Sequence, residues 1–489
     1  MSRIVFINKC LIKAFYLFAL LTFLSSCAAK ISSKKAVKEL EFVNEQVLYY
    51  HPLPYFYVDS LFVDSVFREK KNKLMQQKRI KKNDVFIELL EYVSVFRDGH
   101  LQIMPTTYKE LQGLAFGNYF PLDLVFDGGI ITVEQNYSDC QKIERGMRII
   151  SIDDQKASNF AENLRKRIPT ENLKTRDKLL SRGFPYRYWL LNGNSKKYTV
   201  KFIDNNNDTL DKILKSIPVA KYNKLKTENL QENFRKYFEE SNGTFYFETD
   251  SIRRHKSSYF YLLDSVGYFR MRSFSGNEQE LQLIHKNMKT AIETKIPYLI
   301  IDLRGNFGGR TRNFEEFLQY FNRDTIYQTH KVITKNLKEN IELVERMKTD
   351  TAFRKKIVSK TLGDTLTLYA KEDFMITDAY DTLYEGSLIV LIDEGSFSAG
   401  SGFAILIKNN GLGLLVGHET GGFTNSFADP FFIKLKRFNS LLIVQSKLIV
   451  QGKEGIYEPL QPDINVDWKE ILDQPIDSMI NFILSKYIN

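Results

Sequence analysis

The apolar positions change period along the chain, and each change predicts a different layer. From Ala36 to Phe96 they recur at helical intervals, with Leu40, Val43, Val47 and Leu48 in one stretch and Phe86, Leu89, Leu90 and Val93 in another. His51-Pro52-Leu53-Pro54 divides the two, because proline does not continue a helix. The spacing predicts a helical N-terminal domain over 36–117. From Phe120 the period shortens to two. Leu122 to Phe126 and Ile130 to Val133 read as strands around an Asp127-Gly-Gly turn. Ile143 to Asp153 reads as a turn feeding a strand, Ala157 to Arg167 as a helix, and Tyr198 to Phe202 as a closing strand before a loop at Asn205-Asn-Asn-Asp. These elements delimit a β-rich module over 118–206. Residues 207–256 are polar and read as a mostly helical connector.

From 257 to 489 strands and helices alternate. Tyr259–Leu263 and Val266–Met271 read as a hairpin around Asp264-Ser265, and Glu278–Thr294 as a helix. Tyr298–Asp302, Ser387–Ile392 and Leu414–Gly417 read as buried strands, with a helix at Phe403–Asn409. Alternation of this kind predicts a layered α/β core. The two strands, Gly-containing turn, helix and closing strand of 118–206 resemble a PDZ-like module, without a Gly-Leu-Gly-Phe carboxylate-binding loop. The whole is an α+β multidomain chain.

The N-terminus changes where this chain is expected to work. Arg3, Lys9 and Lys13 precede an apolar run from Ala14 to Leu24, a charged segment and apolar run of signal-peptide length. It ends in Leu24-Ser25-Ser26-Cys27, which resembles a bacterial lipobox. Residues 1–26 are then a lipoprotein signal peptide, Cys27 is the lipidated residue, and 27–35 is a tether. The protein is expected at the bacterial cell envelope, held to the membrane through Cys27, on the periplasmic or surface face of the outer membrane. Of three cysteines, Cys10 leaves with the signal and Cys140 remains the free thiol, so no disulfide scaffold forms.

Charge and composition exclude more than they assign. The chain of 489 residues is 43% hydrophobic and 26% charged, ordinary for a globular protein. Loss of Arg3, Lys9 and Lys13 lowers its formal charge from +10 to +7. The basic residues are interleaved with acidic ones, as in Lys338 and Glu342, and there is no basic arm or zinc-finger spacing. No nucleic-acid partner is expected. The six histidines lack metal-ligand spacing, so no metal and no cofactor is expected.

Three glycine-rich turns follow predicted strands and carry candidate chemistry. Asp302-Leu-Arg304-Gly-Asn306-Phe-Gly308-Gly309 can expose main-chain N–H groups to an anionic oxygen, or serve as a turn with Arg304 in a structural ion pair. Gly395-Ser396-Phe-Ser398-Ala399-Gly-Ser401 lies between a strand and a helix, where Ser398 could be a nucleophile or a helix cap. Val416-Gly-His-Glu-Thr420-Gly421-Gly422 is a third turn.

In this order and spacing, the three turns resemble the C-terminal processing and tricorn-type serine peptidases of family S41. Val266-Gly-Tyr-Phe-Arg and Gln461-Pro-Asp-Ile-Asn-Val match the opening and close of its core. The resemblance spans roughly 36–470 and implies a ClpP/crotonase-like peptidase core, with protein or peptide substrates. Where the serine–lysine branch carries its lysine, this chain has Phe423, so the resemblance is to the branch with a histidine base. Arg97-Asp-Gly-His100 resembles that element. The resemblance thus implies Ser398 as nucleophile, His100 as base, and a carboxylate near the closing Pro-Asp element. Glu458 is preferred for that place, with Glu454 the alternative. Ala399 and Gly308 or Gly309 are the implied oxyanion donors, and Asp302, Arg304, Asn306, Thr420 and Gly421 the supporting residues. Ser401 stands where many relatives have glutamate. Ser396 and Ser401 are less favoured nucleophiles. Residues Thr325 to Tyr384, between the first two turns, are expected to overhang the cleft. The alternative is a weak or inactive protein of this core that binds peptides or lipophilic ligands.

Overall fold

A computed structural model describes residues 30–105, 117–240, 242–246, 258–276, 278–323, 325–327, 329–338, 363–369, 375–376, 380–453, 455–466, 468 and 476–487. The expected signal peptide, Cys27 and Glu454 lie outside the described residues. No described helix is long and apolar enough to cross a membrane.

Three helices form the N-terminal layer: Ser33–Tyr50, Ser60–Met75 and Lys82–Ser94. Ser32 and Asp59 cap the first two by accepting main-chain N–H groups from Lys35 and Phe62. The first helix stops at Tyr50, directly before His51-Pro52. Leu40, Val43, Val47, Leu89 and Val93 are buried as their spacing requires. They share one core with Leu435, Leu442 and Val444 from the far end of the chain. Each such side chain contributes about 1.5–3 kcal/mol on burial, so these helices are fixed to the C-terminal region.

The middle module is an antiparallel sheet in the order 209–215, 197–203, 148–152, 130–136, 122–127. The strand Thr209–Lys215 corrects the expectation that the polar connector begins at 207. Asp204 accepts the N–H groups of Asn206 and Asp208 and reverses the chain. Lys212 holds an inward position between Leu210 and Leu214, which hides the apolar alternation. A long helix, Leu173–Asn192, packs on this sheet and was not anticipated. Pro185 and the non-helical Gly183 inside it break the sequence pattern that would announce it.

Among the described residues the core sheet has seven strands, in the order 244–246, 259–263, 266–270, 298–302, 387–392, 414–417, 464–465. Every neighbouring pair from Val266–Arg270 onward is parallel. Asp302 pairs with Leu391, and Ile392 with Gly417, so the three glycine-rich turns leave the same carboxyl edge of the sheet. Ligand sites of open α/β sheets form at that edge.

A second sheet contains the hairpin Asn425–Leu435 and Ser440–Val450, with Lys331–Lys335 and Thr365–Tyr369 alongside. The last two are the longest described strands of the Thr325–Tyr384 segment, whose residues 339–362 lie outside the described residues. Gln102–Pro105, just after His100, pairs with Ser440–Ile443. This long-range pairing carries the histidine loop from the N-terminal layer to the core.

Candidate active site

Ser398 stands at the corner between the strand Ser387–Ile392 and the helix Ala399–Asn409. Its backbone has φ +55° and ψ −125°, a conformation that L-residues rarely adopt. Its hydroxyl makes no capping hydrogen bond, which disposes of the helix-cap alternative. The other two serines of the turn are engaged. Ser396 Oγ donates to the Leu303 carbonyl at 2.9 Å, and Ser401 Oγ to the Ser398 carbonyl at 2.8 Å. Ser401 thus closes the first turn of the helix.

The three turns are knitted around this corner. Phe397 N–H donates to the Asn306 carbonyl at 2.9 Å, and Gly421 N–H to the Ser396 carbonyl at 2.8 Å. Thr420 exchanges hydrogen bonds with Leu460, one through its N–H and one through its hydroxyl, both at 3.0 Å. Asn306 is fully buried and anchors the first turn through the Met271 carbonyl.

Asp302 and Arg304 support the turn from beneath. The buried Asp302 carboxylate accepts from Arg304 at 2.9 Å, pairs with Arg270 at 2.8 Å, and takes a short bond from the Tyr268 hydroxyl. Burial alone would raise its pKa, but these two guanidiniums and the phenol hold it well below the carboxylate range. Arg304 therefore sits in a structural ion pair.

Gly308 meets Ser398 directly. A Cβ on Gly308 would lie 2.6 Å from Ser398 Cβ and 2.8 Å from Ala399 N. Its own N–H donates to Asn306 Oδ1 at 2.9 Å, which corrects Gly308 as an oxyanion donor. Gly308 is a wall of the site. Among the described residues, the N–H groups of Gly309 and Ala399 have no partner. That of Ala399 also lies at the positive end of its helix.

His100 reaches this corner from the N-terminal layer. Its ring stacks on the Phe397 ring, centroids 4.6 Å apart at 21°. Gln445 donates to its carbonyl at 2.8 Å. Burial pulls the imidazole pKa below the ordinary histidine range, against a smaller upward pull from Asp98, so the ring is a neutral base at neutral pH. Among the described residues no hydrogen bond joins the His100 ring to Ser398, a gap that is common before substrate binds.

Among the described residues, the carboxylates at the His100 loop are Asp98 and Glu171. Glu458 is exposed, and its described bonds are those of its carbonyl with the Thr424 N–H and hydroxyl. Asp98 lies closest, with Oδ1 3.8 Å from His100 Nδ1 and 2.9 Å from the His100 N–H. Its Oδ2 is 3.2 Å from His51 Nε2, and His51 Nδ1 accepts the Leu53 N–H, which fixes the His51 tautomer. Glu171, from the middle module, accepts the Gly99 N–H at 2.9 Å. Asp98 was within sight in Arg97-Asp-Gly-His100. Nothing in the sequence pointed to His51 or Glu171, which are distant in the chain.

A strained serine at a strand–helix corner, on the carboxyl edge of a parallel sheet, belongs to the serine-hydrolase class. Residues 265–466 match the model of peptidase family S41. Over that stretch, the core sheet and its glycine-rich turns, the chain is similar to the serine-type peptidases of this family. Its mixed α+β fold superposes on mature CPAF, 13% identical, with a TM-score of 0.67 over 92% of this chain and 96% of that one. CPAF complexed with lactacystin gives 14% identity and 0.67 over 93% and 99%. The photosystem II D1 C-terminal processing protease is 14% identical, with a TM-score of 0.42 over 88% and 93%. A search of curated proteins found no match.

Proposed function

We propose that the chain is an exported, lipid-anchored serine peptidase that cleaves peptide bonds with Ser398 and His100. The strained, uncapped Ser398 carries the proposal. His100 Nε2 takes the hydroxyl proton as Ser398 Oγ attacks the scissile carbonyl. The N–H groups of Ala399 and Gly309 receive the oxyanion, each such donor being worth about 10²–10³ in rate. The C–N bond breaks, His100 returns the proton to the leaving amine, and water then hydrolyses the acyl-enzyme.

Glu458 is the third triad member that the family resemblance implies. The geometry favours Asp98 instead, because it lies against the His100 ring and is itself held by His51. Parallel Asp98→Asn and Glu458→Gln variants separate the two. Cys27 supports the anchored location at the cell envelope, in the outer membrane. The antiparallel sheet of 122–215 is consistent with a PDZ-like module that presents peptide to the site.

Incubating the full chain with unfolded casein and mapping the products by mass spectrometry tests the activity. New termini are expected with wild type and none with Ser398→Ala. Equal cleavage by both would overturn the proposal.

A further inference from the structure

The middle module reaches into the active site, although neither Ser398 nor His100 belongs to it. The start of its helix Leu173–Asn192 docks on two of the glycine-rich turns. Asn172 Nδ2 donates to the Thr420 carbonyl at 3.4 Å, and Thr175 Oγ1 to the Gly421 carbonyl at 3.0 Å. Lys174 pairs with Glu419 at 3.1 Å, and Lys178 with Glu394 at 3.6 Å. Glu171, one residue before the helix cap, projects between the two halves of the site. The Gly99 N–H, on the histidine loop, donates to its carboxyl at 2.9 Å, and the Phe423 N–H, on the glycine turn, lies on the same side and favours its charged form. Gly99 is wedged there: a Cβ on it would lie 2.8 Å from Glu171 Oε2 and 2.8 Å from the Phe397 ring.

We infer that Glu171 is a positioning residue for the proposed Ser398–His100 pair, clamping the histidine loop to the glycine turn while the middle module is docked. This rests on the reading of Ser398 and His100 given above. The module is then a working part of the active site, and anything that undocks it releases His100 from Ser398.

The clamp has a protonic signature. Asp98 and Tyr57 face Glu171 from the N-terminal layer, with His100 and His51 behind Asp98, and the exposed Tyr457 acts on Tyr57 from the C-terminal region. Burial, then the Asp98 charge, push the Glu171 carboxyl up to about 8, against the pull of the N–H groups. The clamp therefore carries a proton at neutral pH. Glutamine, neutral and of the same shape, reproduces that state. Alanine does not.

The test uses the full chain and a fluorophosphonate probe. Glu171→Ala is expected to label at least tenfold more slowly than wild type, and Glu171→Gln within threefold at pH 7. Between pH 6 and 10 the wild-type labelling rate should inflect near 8, and the glutamine variant should lack that inflection. Superimposable profiles of wild type and Glu171→Gln would overturn the inference. Hydrogen exchange reads the clamp without activity. Peptides over 97–103 and 420–424 should exchange faster in Glu171→Ala, and unchanged exchange would refute it. If folded wild type takes no probe, the Ser398–His100 reading fails, and exchange still decides the clamp.

Discussion

Adding one methyl group at Gly308 should silence the enzyme without unfolding it. Gly308 has φ +96°, where an L-residue costs about 1–2 kcal/mol. Its new Cβ would stand 2.6 Å from Ser398 Cβ and 2.8 Å from Ala399 N. Carbon atoms rest at roughly 3.5–4.0 Å, so the serine corner must move by about 1 Å. Overpacking of that kind costs about 1–3 kcal/mol, and a 1 Å displacement of a reacting group costs about 10²-fold in rate. Gly305→Ala is the control. Gly305 has φ +67° in the same turn, and nothing lies within 4 Å of its added Cβ. The two variants share the backbone penalty and differ in contact with Ser398. Fluorophosphonate labelling rates and unfolding midpoints should show Gly308→Ala slowed about 10²-fold or more, while Gly305→Ala labels within a few-fold of wild type. Equal labelling of the two would refute the placement of Gly308 against the nucleophile.

Activity should fall as the pH drops through the lowered pKa of His100, because protonation removes the base. In Asp98→Asn the burial remains and the upward pull of the charge is lost, so the acid limb of the pH–rate profile should move to lower pH and the maximal rate should drop by about 10²–10⁴. Asp302→Ala should destabilise the core by about 3–5 kcal/mol in denaturant unfolding, because it leaves the Arg270 and Arg304 guanidiniums without their buried partner. Cys27→Ser should shift the chain from the detergent phase to the aqueous phase in Triton X-114 partitioning, and unchanged partitioning would exclude Cys27 as the anchor.

The parts of this molecule that could be read from the sequence are those whose signals are local. Tyr298–Asp302, Ser387–Ile392 and Leu414–Gly417 are continuous apolar runs that end in glycine-rich turns, and each is the strand its pattern predicts. Ser398 stood out because its turn lies between such a strand and a helix. The helix Leu173–Asn192 was hidden by Gly183 and Pro185, whose local preferences are overridden by packing of Leu180, Phe184 and Tyr188 against the module sheet. The carboxylates around His100 were harder still. Asp98, Glu171 and Glu458 look alike as isolated acids. What distinguishes them is the pairing of Gln102–Pro105 with Ser440–Ile443 and the docking of Asn172 and Thr175 on the glycine turn, contacts 246 to 345 residues apart in the chain where side chains such as Thr175 and Gln445 meet their partners.

Labelling of the folded full-length protein with a fluorophosphonate, followed by mass-spectrometric location of the adduct, tests the central claim most directly. A single adduct on Ser398 Oγ is expected, formed at least 10²-fold more slowly in His100→Ala and absent from Ser398→Ala. An adduct on another residue, or undiminished labelling of Ser398→Ala, would contradict it.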